Sequence, residues 1–297
     1  MKKKIYFLLS MIIFGAVGIF AKFIALPSSQ IALCLSTIGT FALALVLLVQ
    51  RKSFPWRHIK RNLGYLLAAS LLLSGNWIFL FNAYKETTIA NAALSYYLAP
   101  VLVIIAAPFL LGEAFSRKKA LCVATALLGL FLILHDNNTA GANNHMIGIL
   151  YGFLAAVFYA ALTLVNKFIT ALDGLTNTFL QLLLSALFLA AYTIWTGSAD
   201  ITQPAIQDIY LLLILGIFHG GIGFYLFFTG MAGLDGQSIA VLSYADPLTS
   251  LLLSLVVLNE PMQGIQLLGA ALLFAAIWIA ERSTPQTGQP GATPLQS

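Results

Sequence analysis

The sequence predicts an all-α integral membrane protein whose ten transmembrane helices form two inverted five-helix repeats. Three observations carry that expectation: scarce charge, a regular succession of apolar runs of membrane-spanning length, and matched motifs at a nearly constant offset. Of 297 residues, 60% are apolar and 8% charged, against roughly 25% charged in a typical soluble domain. So few charges cannot cover a water-soluble globule of this size, and so apolar a chain does not stay disordered. A hydrocarbon core about 30 Å thick is crossed by roughly 20 helical residues. Soluble enzyme classes are largely excluded, and the net charge of +5 reflects topology rather than nucleic-acid binding. Cys34 and Cys122 each lie in an apolar run, too few for a disulfide framework or a metal cluster, and read as packing residues.

The apolar runs fall at residues 5–25, 29–50, 63–84, 88–111, 120–135, 147–168, 175–196, 207–230, 238–258 and 265–280. The first follows Lys2, Lys3 and Lys4, a start that also suits a secretory signal. Its apolar stretch is longer than a signal core and has a counterpart later in the chain, so it is read as a span. The second follows at once, and the third comes after the basic loop 51–62. The fourth holds Ser95-Tyr96-Tyr97-Leu98-Ala99-Pro100, and the fifth follows Arg117-Lys118-Lys119. The sixth ends on Lys167-Phe168. The eighth carries Gly216 and Gly220, spaced for close backbone approach, with His219 between them. The ninth holds Ser243-Tyr244-Ala245-Asp246-Pro247. The most polar loops, 51–62, 112–119, 136–146 and 197–207, are too short for a soluble domain. The segment 283–297, rich in Pro, Gly, Thr and Gln, reads as a disordered cytoplasmic tail.

Charge orients the spans. With a cytoplasmic N-terminus, Lys2, Lys3, Lys4, Arg51, Lys52, Arg57, Lys60, Arg61, Arg117, Lys118, Lys119, Lys167 and Arg282 fall inside, and only Lys22 and Lys85 outside. Thirteen against two is a strong positive-inside bias. An even number of spans then returns the C-terminus to the cytoplasm. The expected location is a bacterial inner, or plasma, membrane.

The two tyrosine–proline motifs resemble each other, and each proline is followed thirteen residues later by a glutamate, Glu113 or Glu260. Both the prolines and the glutamates are 147 positions apart. Lys22-Phe23-Ile24 recurs as Lys167-Phe168-Ile169, and Leu80-Phe81 as Leu226-Phe227. The repeats therefore read as residues 5–135 and 147–281. Five is odd, so the second copy enters the membrane from the opposite side, the arrangement from which alternating access follows.

At these residues the sequence resembles the EamA-type branch of the drug/metabolite transporter superfamily, over roughly residues 5–281. The shared features are a lysine near the end of the first helix of each half, Pro100 and Pro247 within the fourth, and the glutamate after it. The resemblance implies secondary transport of small metabolites, often export of amino acids or related compounds, with no ATPase subunit. One departure stands out. Where the family often carries an arginine early in the second helix, this chain reads Ala32-Leu33-Cys34-Leu35-Ser36, so no role of that arginine carries over.

Asp246 lies about eight residues into the ninth run, some 12 Å deep at 1.5 Å per residue. A carboxylate there costs several kcal/mol unless paired or protonated, which makes it the leading candidate for a proton or cationic-amine site. His219 sits at similar depth on the preceding run and is expected to pair with it. Pro100 and Pro247 free carbonyls on Tyr96 and Ser243 and are read as paired hinges. Asn76, Trp77, Asn82, Tyr96, Tyr97, Tyr159, Tyr225 and Tyr244 place polar atoms in apolar runs. Of these, Asn76, Tyr96, Tyr97, Tyr244 and Trp77 join Asp246 and His219 as candidate substrate- or proton-binding residues. Packing or an interfacial position is the plainer reading for any single aromatic. Lys22 and Lys167 either snorkel to the headgroups or mark the pathway mouth, while Glu113 and Glu260 cap the following helix or latch a gate.

Catalytic signatures are absent: there is no H-E-x-x-H, P-loop or G-x-S-x-G, and the histidines at 58, 135, 145 and 219 are scattered. No catalytic residue, metal or cofactor is expected. The sequence points to a secondary transporter, most readily an exporter of amino acids or derivatives, with protons as a candidate second ligand. The bilayer is its surroundings, nucleic acid is no partner, and monomer and homodimer stay open. The rivals are a membrane-embedded enzyme acting on lipid or isoprenoid groups, and a passive channel.

Overall fold

The computed structural model describes residues 2–17, 20, 23–87, 89–134, 145–198, 205–257 and 264–283. Lys22, Glu260 and residues 284–297 of the tail lie outside these. Among the described residues all regular structure is helical. In chain order the helices are α1 (Lys2–Gly15), α2 (Ser28–Val49), α3 (Trp56–Glu86), α4 (Ile89–Tyr96), α5 (Ala99–Leu111), α6 (Arg117–Leu134) and α7 (His145–Asn166). There follow α8 (Gly174–Trp195), α9 (Ile206–Ile214), a π-helical segment (Leu215–Gly223), α10 (Phe224–Met231), α11 (Gly236–Leu242), α12 (Ala245–Val257) and α13 (Gly264–Ser283). Six stretches among the described residues are long and apolar enough to cross a membrane: Ser28–Val49, Trp56–Glu86, Ala92–Leu111, Met146–Asn166, Gly174–Trp195 and Ile206–Met231. The protein is a multi-pass membrane protein.

Three features depart from ten uniform spans. Helix α3 begins at Trp56, earlier than the apolar run, because Pro55 precedes its first residue and the basic segment Arg57–Arg61 continues the helix beyond the apolar stretch. Asn62 anchors that extension, donating to the Thr170 carbonyl (2.8 Å) and accepting from the Thr170 N–H (3.1 Å). The fourth and ninth runs are each interrupted. Helix α4 stops at Tyr96 and α5 starts at Ala99, while α11 stops at Leu242 and α12 starts at Ala245. Pro100 and Pro247 therefore lie in the first turn of new helices rather than inside continuous ones. There an amide hydrogen has no intrahelical partner, so proline costs nothing. The eighth run passes from α through π to α geometry around its glycines, a local widening and under-winding that the apolar pattern does not announce.

The packing is reciprocal. Helix α3 lies along α7, and α10 along α1; α4 and α5 contact α7 as α12 contacts α1. Helices α2 and α8, α6 and α13, and α5 and α11 face one another directly. In lipid, apolar side chains gain little by leaving acyl chains for each other, so helices associate through small residues and interhelical hydrogen bonds. Both are present. Ser185 donates to the Ser70 carbonyl (2.9 Å), joining α8 to α3, and Asn166, Asn177 and Gln181 bond one another between α7 and α8. Phe41, Leu48, Phe109, Trp195 and Phe274 point outward.

Gly220 presses against α2: a Cβ built on it would stand 2.6 Å from the Leu35 carbonyl oxygen, and one on Gly39 would stand 2.9 Å from the Gly220 carbonyl carbon. Neither neighbour is a flexible side chain. Gly220→Val is therefore expected to destabilise the fold by about 1–3 kcal/mol through forced separation of the two backbones. Thermal unfolding in detergent checks it; an unchanged midpoint contradicts the contact.

Candidate substrate site at the paired helix breaks

The two interruptions meet. At the first, Val101 and Leu102 N–H groups both turn to the Leu98 carbonyl, which leaves the Tyr97 carbonyl without its helical donor. The hydroxyl of Tyr244, at the second interruption, supplies one at 3.1 Å. In return the Tyr97 hydroxyl donates to Asp246 Oδ1 at 2.9 Å. Tyr97 and Tyr244 hold the same place in the repeated motif, and each reaches across to the other break. Their side chains satisfy polar groups that lipid would leave unpaired.

Asp246 lies in the first turn of α12, where the helix dipole favours a negative charge. It faces a small cavity of about 20 Å³, enough for a water. Tyr96, Tyr97, Tyr159, Phe14 and Ser243 share the lining, with Ala99 and Pro100 at the start of α5. Tyr96 stands 5.6 Å from Tyr97 and meets Tyr159 edge-on at 5.8 Å. Directly behind Asp246, Gly15 of α1 lets the helices touch: a Cβ there would be 2.5 Å from the Asp246 carbonyl oxygen.

The other sequence-predicted residues are distributed around this centre. His219 does not pair with Asp246, whose hydrogen bond goes to Tyr97. It sits among Phe14 (4.6 Å), Phe224 (5.4 Å) and Trp77 (6.3 Å), and its Nδ1 has no hydrogen-bond partner among the described residues. The π-helical segment that carries His219 turns the ring into this aromatic group. Trp77 is buried and meets Phe224 edge-on. Asn76 ties α3 to α7 by donating to the Ala155 carbonyl at 2.9 Å. Asn82 and Tyr225 are half-buried and do not line the cavity. The Lys167 ammonium donates to the carbonyls of Met231 (3.3 Å) and Leu234, closing the end of α10.

Glu113 caps a helix of the other half. Its Oε1 accepts from the Gly236 N–H (2.7 Å) and its Oε2 from the Gln237 N–H (3.4 Å), at the start of α11. The Gln237 side chain reaches back, donating to the Ala114 carbonyl (2.8 Å) and accepting from the Ser116 N–H (2.8 Å). Beside them Lys119 pairs with Asp235 at 2.5 Å. This clasp ties residues 113–119, which lead from α5 into α6, to the start of α11. Gln237, Lys119 and Asp235 escaped sequence reasoning, although Asp235 ahead of Gly-Gln-Ser is a recognisable helix cap.

Burial alone works against a charge on Asp235, but hydrogen bonds from Lys119 and Ser238 outweigh it and hold the carboxyl below its ordinary value. A depressed acid contributes stability that is fully present above the unfolded value, about 3.9, and is lost as pH falls through the lower folded one. The clasp is thus expected to be indifferent to pH between about 5 and 8, and to loosen when Asp235→Asn removes the pair. Labelling of a cysteine at Ser116 by an impermeant thiol reagent reads this directly. Labelling that rises across that pH range more than it does for the same cysteine in the unfolded chain, where only thiolate formation changes, contradicts it.

Comparison with known proteins decides the family. The model of the EamA-like transporter family matches residues 1–135 and, separately, residues 146–281. The chain belongs to the EamA-like transporter family. It is 32% identical over 272 residues to a Bacillus subtilis (strain 168) protein named Uncharacterized transporter YxxF, covering 91% of this chain and 86% of that one. A Salmonella typhimurium (strain LT2) protein named Probable amino-acid metabolite efflux pump is 28% identical over 227 residues, covering 73% of this chain and 75% of that one. A solved crystal structure superposes with a TM-score of 0.78 over 94% of this EamA-like chain and 98% of its own, at 22% identity. That likeness shows a shared fold.

Proposed function

We propose that this EamA-like protein is a secondary carrier, and not an enzyme, that exports amino acids or their derivatives by alternating access. In this reading residues 5–135 and 147–281 are inverted five-helix repeats, crossing a bacterial inner membrane ten times with both termini in the cytoplasm. The observation that carries it is the joint between the helix breaks. Two interruptions at matching motif positions are held to each other by Tyr97, Tyr244 and Asp246, so moving one half displaces the other at the centre. The double family match and the reciprocal packing support the two-repeat arrangement.

The structure then corresponds to a state closed at the cytoplasmic, lysine-rich end, with a cavity too small for a metabolite. Substrate reaches Asp246 only as the halves part. Pro100 and Pro247 start the helices that swing, and Glu113 latches one gate. Lys22, Lys167 and Glu260 belong to the gate ends of the pathway, and Asn76, Trp77 and His219 support the cavity wall. Counterflow tests the carrier: in proteoliposomes preloaded with unlabelled amino acids and amines, uptake of at least one labelled counterpart is expected to accelerate. Uptake indifferent to preloading contradicts it and indicates a pore.

A further inference from the structure

We propose that the cavity at the helix breaks selects an organic cation bearing an apolar group, a monoamine or an amino acid whose carboxyl is masked as an amide, over the zwitterionic amino acid. The inference rests on the carrier reading and narrows its substrate class. Asp246 is the charged residue of the lining, and what surrounds it is aromatic: Phe14, Tyr96, Tyr97 and Tyr159. A carboxylate among aromatic faces attracts an ammonium twice, by charge and through the ring quadrupoles. The tyrosine bodies receive the apolar remainder.

A substrate carboxylate finds nothing comparable. Among the described residues no arginine or lysine lines the cavity. The second helix presents Ala32 and Leu35, both fully buried, where a guanidinium is absent. The lysines near the bundle ends are engaged elsewhere: Lys52 with Asp173, Lys119 with Asp235, Lys85 with the Leu26 carbonyl and Lys167 with the end of α10. His219 packs at a tilt against Phe14 and stays out of the lining. The other helix start at the cavity, that of α5, lacks one N–H because Pro100 occupies it. A zwitterion held by its ammonium would bring an unpaired carboxylate close to Asp246 in a low-dielectric pocket, where like charges repel strongly. An inorganic cation is equally poorly served, since hard metal ions call for several oxygen ligands.

The test uses phenethylamine, phenylalaninamide and phenylalanine, which share a side chain and differ at the carboxyl. In proteoliposomes of the full chain, labelled phenylalaninamide is exchanged against each unlabelled compound. The amine and the amide are expected to compete at least about tenfold better than phenylalanine. Asp246→Glu is expected to keep that order and Asp246→Asn to lose it. Phenylalanine competing as well as the amide overturns the inference while leaving the carrier standing. Exchange with none of the three overturns it as well. Amide uptake that is indifferent to preloading overturns the carrier reading itself.

Discussion

Asp246→Asn is expected to slow exchange by about 10- to 100-fold, the effect of a charge-assisted hydrogen bond worth about 1.5–3 kcal/mol. The substitution keeps the size of the side chain and its capacity to accept from Tyr97, so the joint between the helix breaks survives while the charge is lost. Asp246 lies in the first turn of α12, bonded to Tyr97 at 2.9 Å, with Gly15 packed directly behind its backbone. A carboxylate held that deep repays its burial only if something neutralises it, whether a proton or a cationic substrate. If protons couple transport, flux through the native protein varies with pH and flux through the Asn variant does not. The two are compared in the same proteoliposomes across pH about 5 to 8, where the Asp235 clasp is expected to contribute nothing. Unchanged pH dependence in the variant rules out Asp246 as the proton carrier.

The contrast between Asp246 and His219 shows how far a sequence of this kind can be read. Hydropathy marked apolar runs because lipid imposes a length and a composition on anything that crosses it, and six of them are membrane-length helical stretches among the described residues; it marked Asp246 because an acid is costly inside such a run. The repeated tyrosine–proline motif marked two segments that the structure brings together, joined through Tyr97 and Tyr244. Direction around a helix axis was not legible. His219 turns into Phe14, Trp77 and Phe224, because the π-helical segment that carries it changes which face the ring presents.

Glu113 illustrates the second limit. Its place ahead of α6 suggested a local cap or a gate, and its actual partners, Gly236 and Gln237, lie more than a hundred residues away. Contacts between halves leave no periodic trace in either half. The helix breaks were hidden for a related reason: Tyr97-Leu98 and Ser243-Tyr244 read like the turns around them, and the cross-bonding of Tyr97 and Tyr244 that helps satisfy an interruption there comes from the other half.

Transport by alternating access requires the lysine-rich end to open, and that end can be locked. A Cβ built on Gly236 would stand 3.1 Å from the Ala107 Cβ, close to the separation of about 3.5–4.5 Å that a disulfide spans. Ala107→Cys with Gly236→Cys, in a chain whose Cys34 and Cys122 are replaced by alanine, places one thiol in each half beside Glu113. Oxidation is expected to stop counterflow completely and reduction to restore it, with disulfide formation followed by thiol titration. Counterflow continuing at its full rate with the disulfide formed contradicts the carrier mechanism.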